Sequence, residues 1–578
     1  MYTTADALTE ALVDSGVKYV FLNSGTDYPD LIESWAKFRA LGEDLPEIIT
    51  CPHEMVAFCA AQGYAQATGV PAGVFVHVDV GTQNIGGSIH NAYRGRVPVL
   101  LLAGLSPYTI EGERSGSRDN YIQFVQNVTD QVSIVREYIK HYNEIRSGDN
   151  VAQLIKRAVQ LSRSQTPGPV YLTVAREVLE APAGEAGGAA HAADKADSMH
   201  AGYGTVAPLA IEEGTLSKIA DALVSAKNPL IITSYLGMDT AAPEELAKLC
   251  GLLAVPVVDS APSYVNLSAE NPMHLGTNVV SALAESDLVL AIDCDVPWLP
   301  AKTSMPKGCR MIVIDQDPIK EEIPLWHFPA ELFVRADGAV ALRQLYEKVS
   351  AHKEFDAKAI EARRVRIAAA REARLDKLAE AAKLPAAGTA GLTVPYLLSC
   401  LKKYLKEDTV ILNESITNTN LVEEYLPRTL PGTRFHSGGA ALGWNGGAAI
   451  GVKLAYPERD VVSVTGDGSY LFSCPSIVHW VSRRYETPFL TIVLNNGGWT
   501  APRFATSEKH PDGFAARIGE YFTSFDPSPA YDKIAEAAGG ALAITVEEAG
   551  ALDAALKAGF DAIHSGRSAA LNVILARR

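Results

Sequence analysis

The chain has 578 residues, 47% hydrophobic and 20% charged, with a net charge of -16. At roughly 150 residues per domain this predicts three or four domains rather than one core, and an ordinary globular composition argues against wholesale disorder. The acidic balance, with no Lys/Arg stripe to displace counterions from a phosphate backbone, argues against nucleic acid as a partner.

In chain order, the N-terminal segment MYTTADALTEALVDSGVKYVF has no basic stretch before an apolar run, and no apolar run reaches spanning length. Neither a signal peptide nor a membrane segment is expected. The seven cysteines are scattered and form no CxxC, which argues against a disulfide framework or structural zinc and fits a cytoplasmic protein. The runs VKYVFLN, EIIT, GVFVHV and PVLLLAG read as strands separated by helices. Residues 181–204 are small and polar and read as a linker. A second group of strands follows (NPLIITS, VPVVDS, LVLAID, MIVID), then a charged, Ala-rich helical connector at about 353–391, then TVILN, DVVSVTG and FLTIVLNN. Continuous apolar strands alternating with helices signal parallel sheets covered on both faces. The expected fold is α/β with three doubly wound parallel-sheet domains, at 1–180, 205–350 and 392–578. The first and last both place a Gly-rich turn after a strand, as related halves would.

The strongest chemical signal lies in the last third. Strand 461–465 runs into Gly466-Asp467-Gly468-Ser469, a helix is expected from about Pro475, and the next strand ends in Asn495-Asn496-Gly497-Gly498. Ligands of open parallel sheets bind outside the carboxyl ends of the strands, where both motifs fall, so Asp467 and Asn496 are expected to converge. A carboxylate, an amide oxygen and a backbone carbonyl are hard donors suited to Mg2+, which completes its octahedron with phosphate oxygens and water. The glycines let backbone approach phosphates, and a helix N-terminus favours negative charge. Together these describe a magnesium diphosphate site.

These motifs, with ILNESITNTN, HSGGAALGWNGGAAIGVKLAYPERDVVSVTGDGSY and TIVLNNGG around them, closely resemble the benzoylformate decarboxylase and acetolactate synthase superfamily of thiamine diphosphate enzymes. The resemblance implies that Asp467, Asn496 and the Gly498 carbonyl hold Mg2+, that Asn413, Glu414 and Ser415 lie near the diphosphate with Gly466, Gly468 and Ser469, and that Leu442 wedges the cofactor into a bent shape. In the first third, HE followed by a small-residue helix and GYAQATG implies that Glu54 is the glutamate that hydrogen-bonds the aminopyrimidine N1'. By itself, a Glu in a first helical turn is an ordinary helix-dipole charge. Gly81 and Asn84 match the Gly-rich turn after the strand that carries His77, a candidate proton relay. Thr26 matches a substrate-facing serine, and Gln126 a glutamine near the reacting carbon. The resemblance also implies a homodimer or homotetramer, with cofactor between Glu54 of one chain and Asp467 of another. The small-residue face of the Glu54 helix (Ala57, Ala60, Ala61, Gly63, Ala65) would lie at the subunit interface.

Three departures narrow the subgroup. SPYTIEGERSGSRDN lacks the histidine pair of pyruvate decarboxylases. Gly498-Trp499-Thr500-Ala501-Pro502-Arg503 replaces the run expected of acetolactate synthases, and DCDVPWLPAKTS lacks the second histidine of benzoylformate decarboxylase. The central domain holds FAD in some relatives, ADP in others and nothing in many, and the first turn here, Ser234-Tyr235-Leu236-Gly237, lacks a glycine cluster. Trp499 and Arg503 are the better pocket candidates, ahead of His436 and Trp298. The expected reaction makes or breaks a C-C bond next to the carbonyl of a 2-oxo acid or related α-dicarbonyl. Acetolactate synthase-type and 2-hydroxyacyl-CoA lyase or oxalyl-CoA decarboxylase-type activities are the alternatives. A nicotinamide oxidoreductase would need GxGxxG opening a helix after a strand with an acid about 20 residues on, and no such arrangement occurs.

Overall fold

The computed structural model describes residues 2–183, 204–352, 355–384 and 391–576. Most of the 181–204 linker, and residues 353–354 and 385–390 of the connector, lie outside the described residues. Each third builds one wholly parallel sheet. The first contains β1 (Tyr19–Leu22), β2 (Glu47–Thr50), β3 (Gly73–Val76), β4 (Leu100–Leu105), β5 (His141–Ile145) and β6 (Val170–Ala175), in the order β2-β1-β3-β4-β6-β5. The second contains β7 (Pro229–Thr233), β8 (Val257–Asp259), β9 (Leu288–Ile292), β10 (Arg310–Asp315) and β11 (Leu332–Arg335), in the order β11-β10-β9-β7-β8. The third contains β12 (Val410–Glu414), β13 (Arg434–Phe435), β14 (Val461–Gly466), β15 (Leu490–Asn495), β16 (Leu542–Val546) and β17 (Ala569–Ile574), in the order β13-β12-β14-β15-β17-β16. Counted from their own first strands, the first and third sheets have the same order, as the shared strand-turn pattern anticipates. Nearly every residue of β1, β3, β7, β9 and β15 is buried, because helices cover both faces.

Strand order reverses between β1 and β3, between β7 and β9, and between β12 and β14. An open parallel sheet forms its ligand crevice at that switch point, so the fold offers three crevices.

The first and third sheets share one buried core, closed by two helices, Glu54–Thr68 and Trp444–Ala455. The first is capped by the His53 side chain, which accepts from the Met55 N-H, and ends at Gly69, whose φ of 69° a side chain rarely adopts. A Cβ at Gly451 would overlap the Ala60 carbonyl, one at Gly63 the Ala448 backbone, and one at Gly447 the Cys59 side chain. Backbone therefore lies directly on backbone. The small-residue face expected at a subunit interface is thus met here by a helix of the same chain, a correction whose cause is the complementary glycine face GWNGGAAIG.

The connector forms one 25-residue helix, Ala357–Ala381, largely exposed. Buried Arg363 fastens it to the central domain, donating to the carbonyls of Leu253, Ala226 and Lys227. Among the described residues no helix is long and apolar enough to cross a membrane.

Candidate active site

At the third sheet's switch point, β14 ends at Gly466 and a short helix, Asp467–Phe472, begins at once. The expected turn is therefore a helix N-terminus with Asp467 as its first residue. Its carboxylate is buried; Oδ1 accepts from the Gly468 N-H (2.8 Å), and Oδ2 accepts from the N-H groups of Gly497 and Gly498 (2.9 Å each). These bonds stitch the end of β14 to the segment leaving β15, where Asn496 sits. Burial raises the Asp467 pKa above the ordinary carboxylate value, outweighing the N-H donors that lower it. The Asn496 Oδ1 is buried and has no hydrogen-bond partner, and among the described residues no backbone bond ends on the Gly498 carbonyl. Gly498 has φ 146°, which suits glycine. A Cβ at Gly468 would strike Trp499, so the indole lies over the Gly-Asp-Gly segment. Ser469 is buried in the first turn.

A cavity of about 520 Å3 adjoins these groups, lined by Thr417, Asn418, Asn496, Gly498, Trp499 and Arg503 among others. Trp499 and Arg503 thus line one cavity with Asn496 and Gly498. His436 is instead held in the interior, where burial pulls its pKa down to about 4, and Trp298 packs edge-on against Phe328 in the central domain.

The Asn413-Glu414-Ser415 segment ends β12, next to β14, but its side chains turn to other partners. Asn413 donates to Glu423 Oε1 (2.7 Å) and accepts from the Ser415 hydroxyl (2.7 Å). Glu414 accepts from the N-H groups of Gly443 (2.7 Å), Trp444 (3.3 Å) and Asn445 (2.9 Å), and so caps the helix Trp444–Ala455. Burial raises its pKa to about 7 despite those three donors. These bonds tie the end of β12 to the start of the helix Trp444–Ala455. Leu442, just before that helix, is half-buried rather than a core residue, and the following Gly443 has φ 95° with no room for a Cβ against the Phe472 carbonyl.

The second cluster lies in the first domain. Glu54 opens its helix with only 8% of its surface exposed, and its Oε2 accepts from Asn84 Nδ2 at 3.0 Å. Gly81 stands beside it, where a Cβ would come within 3.4 Å of Glu54 Oε1. Gly81 and Asn84 belong to a short helix, Val78–Asn84, rather than to the expected turn.

His77 caps that helix at the end of β3. Its Nδ1 lies 2.6 Å from Asp27 Oδ1, and its Nε2 lies 2.9 Å from Gln126 Nε2 and 3.2 Å from Gln126 Oε1. Burial lowers its pKa most, but the bond and charge of Asp27, with Gln126 and Asp79, together outweigh this and the pKa is raised. The structure thus joins His77 to Gln126, and adds Asp27, which the sequence reading passed over beside Thr26. Thr26 itself is exposed and lines a separate cavity of about 490 Å3 with Asp119 and Arg176.

At the central crevice, between β7 and β9, the Tyr235 hydroxyl bonds to Asp315 and is reached by buried Lys320 (2.8 Å), beside a cavity of about 670 Å3 that Lys320, Arg96 and Asp295 also line. Lys320 also pairs with Asp315 (2.5 Å) and Asp295 (3.0 Å). Arg96, from the first domain, stacks on the Tyr235 ring at 3.9 Å and pairs with Asp295 at 2.7 Å. Burial pushes Asp293 far above the carboxylate range, while Arg96 and Lys320 overcome the same effect at Asp295 and hold it low. Two cations thus flank Asp295, one of them from another domain.

Paired sheets of identical order, a hard-donor cluster at one switch point and a buried glutamate on the other sheet define the class of thiamine diphosphate enzymes. The comparisons agree. The family descriptions that match are "Thiamine pyrophosphate enzyme, N-terminal TPP binding domain" over residues 2–134, its central domain over 216–345, and its C-terminal TPP binding domain over 416–573. The chain belongs to the thiamine pyrophosphate enzyme family. It is 26% identical over 505 residues to a protein of Pseudomonas aeruginosa named probable 2-ketoarginine decarboxylase, covering 86% of this chain and 82% of the relative. It is 25% identical to acetolactate synthase isozyme 3 large subunit of Escherichia coli K12 (86% and 82% covered), and 24% identical to benzoylformate decarboxylase of Pseudomonas aeruginosa (89% of each). The structure of a thiamine diphosphate-dependent 4-hydroxybenzoylformate decarboxylase from Rhodococcus jostii RHA1 superposes with a TM-score of 0.79 at 20% identity, covering 100% of this chain and 99% of that one. That last match establishes the fold.

Proposed function

We propose that the chain is a thiamine diphosphate- and Mg2+-dependent enzyme that makes or breaks the C-C bond next to the carbonyl of a 2-oxo acid, as decarboxylase or carboligase. The observation that carries this reading is the donor set at the third switch point. A buried carboxylate is bonded there to the backbone segment that carries a buried amide oxygen with no partner and the Gly498 carbonyl; the unpartnered oxygen is costly to leave uncompensated, and these donor types suit Mg2+. Asp467, Asn496 and Gly498 would hold the ion, with the cavity beside Trp499 receiving the diphosphate end of the cofactor. When bound, thiamine diphosphate supplies the carbon nucleophile and the electron sink.

The chain's own residues then have separate tasks. Glu54, oriented by Asn84 and left room by Gly81, holds or releases a proton at its carboxyl. His77, between Asp27 and Gln126, exchanges a proton with a substrate oxygen. Thr26 borders the path by which substrate enters. Decarboxylase and synthase names among the relatives support a 2-oxo acid as substrate. The test is mass analysis of products from a panel of 2-oxo acids and aldehydes, with cofactor and Mg2+ added. The expected result is CO2 release or a 2-hydroxyketone from at least one member. Turnover of acyl-CoA substrates alone would favour the 2-hydroxyacyl-CoA lyase alternative, whose relatives also match.

The proposed assembly is a homodimer or homotetramer in which the Glu54 cluster of one chain and the Asp467 cluster of another complete the site. Mixing inactive Glu54→Ala and Asp467→Ala proteins under subunit exchange is then expected to restore part of the activity through composite wild-type sites. No recovery despite demonstrated exchange would place the whole site in one chain.

A further inference from the structure

His77 has two occupied nitrogens with unequal partners. Nδ1 meets Asp27, whose side chain is 3% exposed, and the other Asp27 oxygen accepts from the Val78 N-H at 3.4 Å. A Cβ at Gly25 would collide with both His77 and Asp27, and one at Gly104 with Asp27, so a loop glycine and a β4 glycine leave the space that the pair fills. Nε2 meets Gln126, with both its amide nitrogen and its amide oxygen in reach, and the Gln126 carbonyl is held by the Ser106 hydroxyl.

We infer that Asp27 is a positioning residue that fixes His77 with its proton on Nδ1, leaving Nε2 as the nitrogen that exchanges a proton with substrate. A buried carboxylate accepts hydrogen bonds and offers none, so Nδ1 carries a proton in both charge states of the imidazole. Neutral His77 then accepts from the Gln126 amide nitrogen at Nε2. Cationic His77 donates to the Gln126 oxygen after a small rotation of the amide. The proton that moves enters and leaves at Nε2 while the Nδ1 proton stays on the Asp27 side, and Gln126 satisfies the ring whenever substrate is absent. The charged groups facing the ring are Asp27, from the segment after β1, and Asp79, on the helix that His77 caps, both anionic; Gln126 is neutral. This inference rests on the proposed placement of His77 at the reacting carbonyl for its catalytic meaning, but its geometry is tested without that placement.

The experiment is 15N and 13C NMR of histidine-labelled full-length protein, with the His77 signals assigned by their loss in His77→Gln, alongside the pH dependence of kcat/KM. In the wild type, neutral His77 is expected as the Nδ1-H tautomer, the less common form in water. In Asp27→Asn its pKa is expected to fall by about 1 to 3 units, because the neighbouring charge is gone and desolvation remains. The protonated form is then lost at lower pH, and the His77 limb of the kcat/KM profile shifts the same way. An Nε2-H tautomer in the wild type would overturn the inference even if Asp27→Asn did not fold, and so would an unshifted His77 pKa in a folded variant. A shifted pKa with an unmoved profile would leave Asp27 as the residue that sets the tautomer, and would remove His77 from the reaction, overturning its assignment under the proposed function.

Discussion

Asp467→Ala is expected to abolish Mg2+-dependent binding of thiamine diphosphate while leaving the chain folded. The variant removes the only carboxylate of the proposed donor set, so Asn496 and the Gly498 carbonyl would face a dication with no formal negative charge. Loss of even an outer partner of a metal ligand typically costs about 10- to 100-fold in affinity, and loss of the anionic ligand is expected to exceed that. The same carboxylate orients the Gly497 and Gly498 N-H groups, so its removal also loosens the segment that presents the other two donors. Asp467→Asn separates the two effects, since it keeps one acceptor for those N-H groups but not the charge. Calorimetric titration with cofactor and Mg2+ is the measurement. Cofactor affinity equal to that of the wild type in both variants would remove Asp467 from the metal site.

What was legible in the sequence follows from how locally each feature is encoded. The strands read directly, because buried parallel strands are apolar on both faces. The meeting of the Asp467 and Asn496 segments also read directly, since both follow strands of one strand-helix-strand unit. Features that depend on partners far along the chain did not. Glu414 sits in a motif that suggests phosphate chemistry, yet its carboxylate is taken by three N-H groups of a helix that begins at Trp444, and nothing within ILNES announces that helix. Asp27 looks like an ordinary turn carboxylate after Gly-Thr, and only the pairing of β1 with β3 brings it to His77. The segments at 466–469 and 81–84 contain glycine and read as turns, but the first opens the helix Asp467–Phe472 and the second closes the helix Val78–Asn84. The charge cluster around Tyr235 needs Arg96 of another domain. The one hint available in sequence is the bulky Tyr235 where a nucleotide fold would carry glycine.

Glu54→Gln is expected to fold and bind cofactor while losing nearly all exchange of the cofactor's C2 proton. The substitution keeps the size of a side chain that is 8% exposed and leaves an amide oxygen able to accept from Asn84. The proposed metal and diphosphate contacts lie on the third sheet, away from this change, so affinity is expected to fall little. An amide cannot take up or release the proton that the aminopyrimidine N1' requires. Loss of a positioned acid-base group typically costs on the order of 100- to 10,000-fold. The competing role, a charge at the start of the helix Glu54–Thr68, predicts something quite different: a terminal charge contributes about 0.3 to 1 kcal/mol of stability and nothing specific to the rate. Helix stability and proton transfer can be read independently, by a thermal melt and by acid-quench NMR of C2-H/D exchange in the bound cofactor. Burial already weighs against the dipole role alone, because an exposed glutamate would serve the helix end equally well, whereas this one is enclosed with Asn84 and Gly81. Near-normal exchange together with a slightly lowered melting temperature would return Glu54 to that role and leave the first domain without its proposed acid-base group.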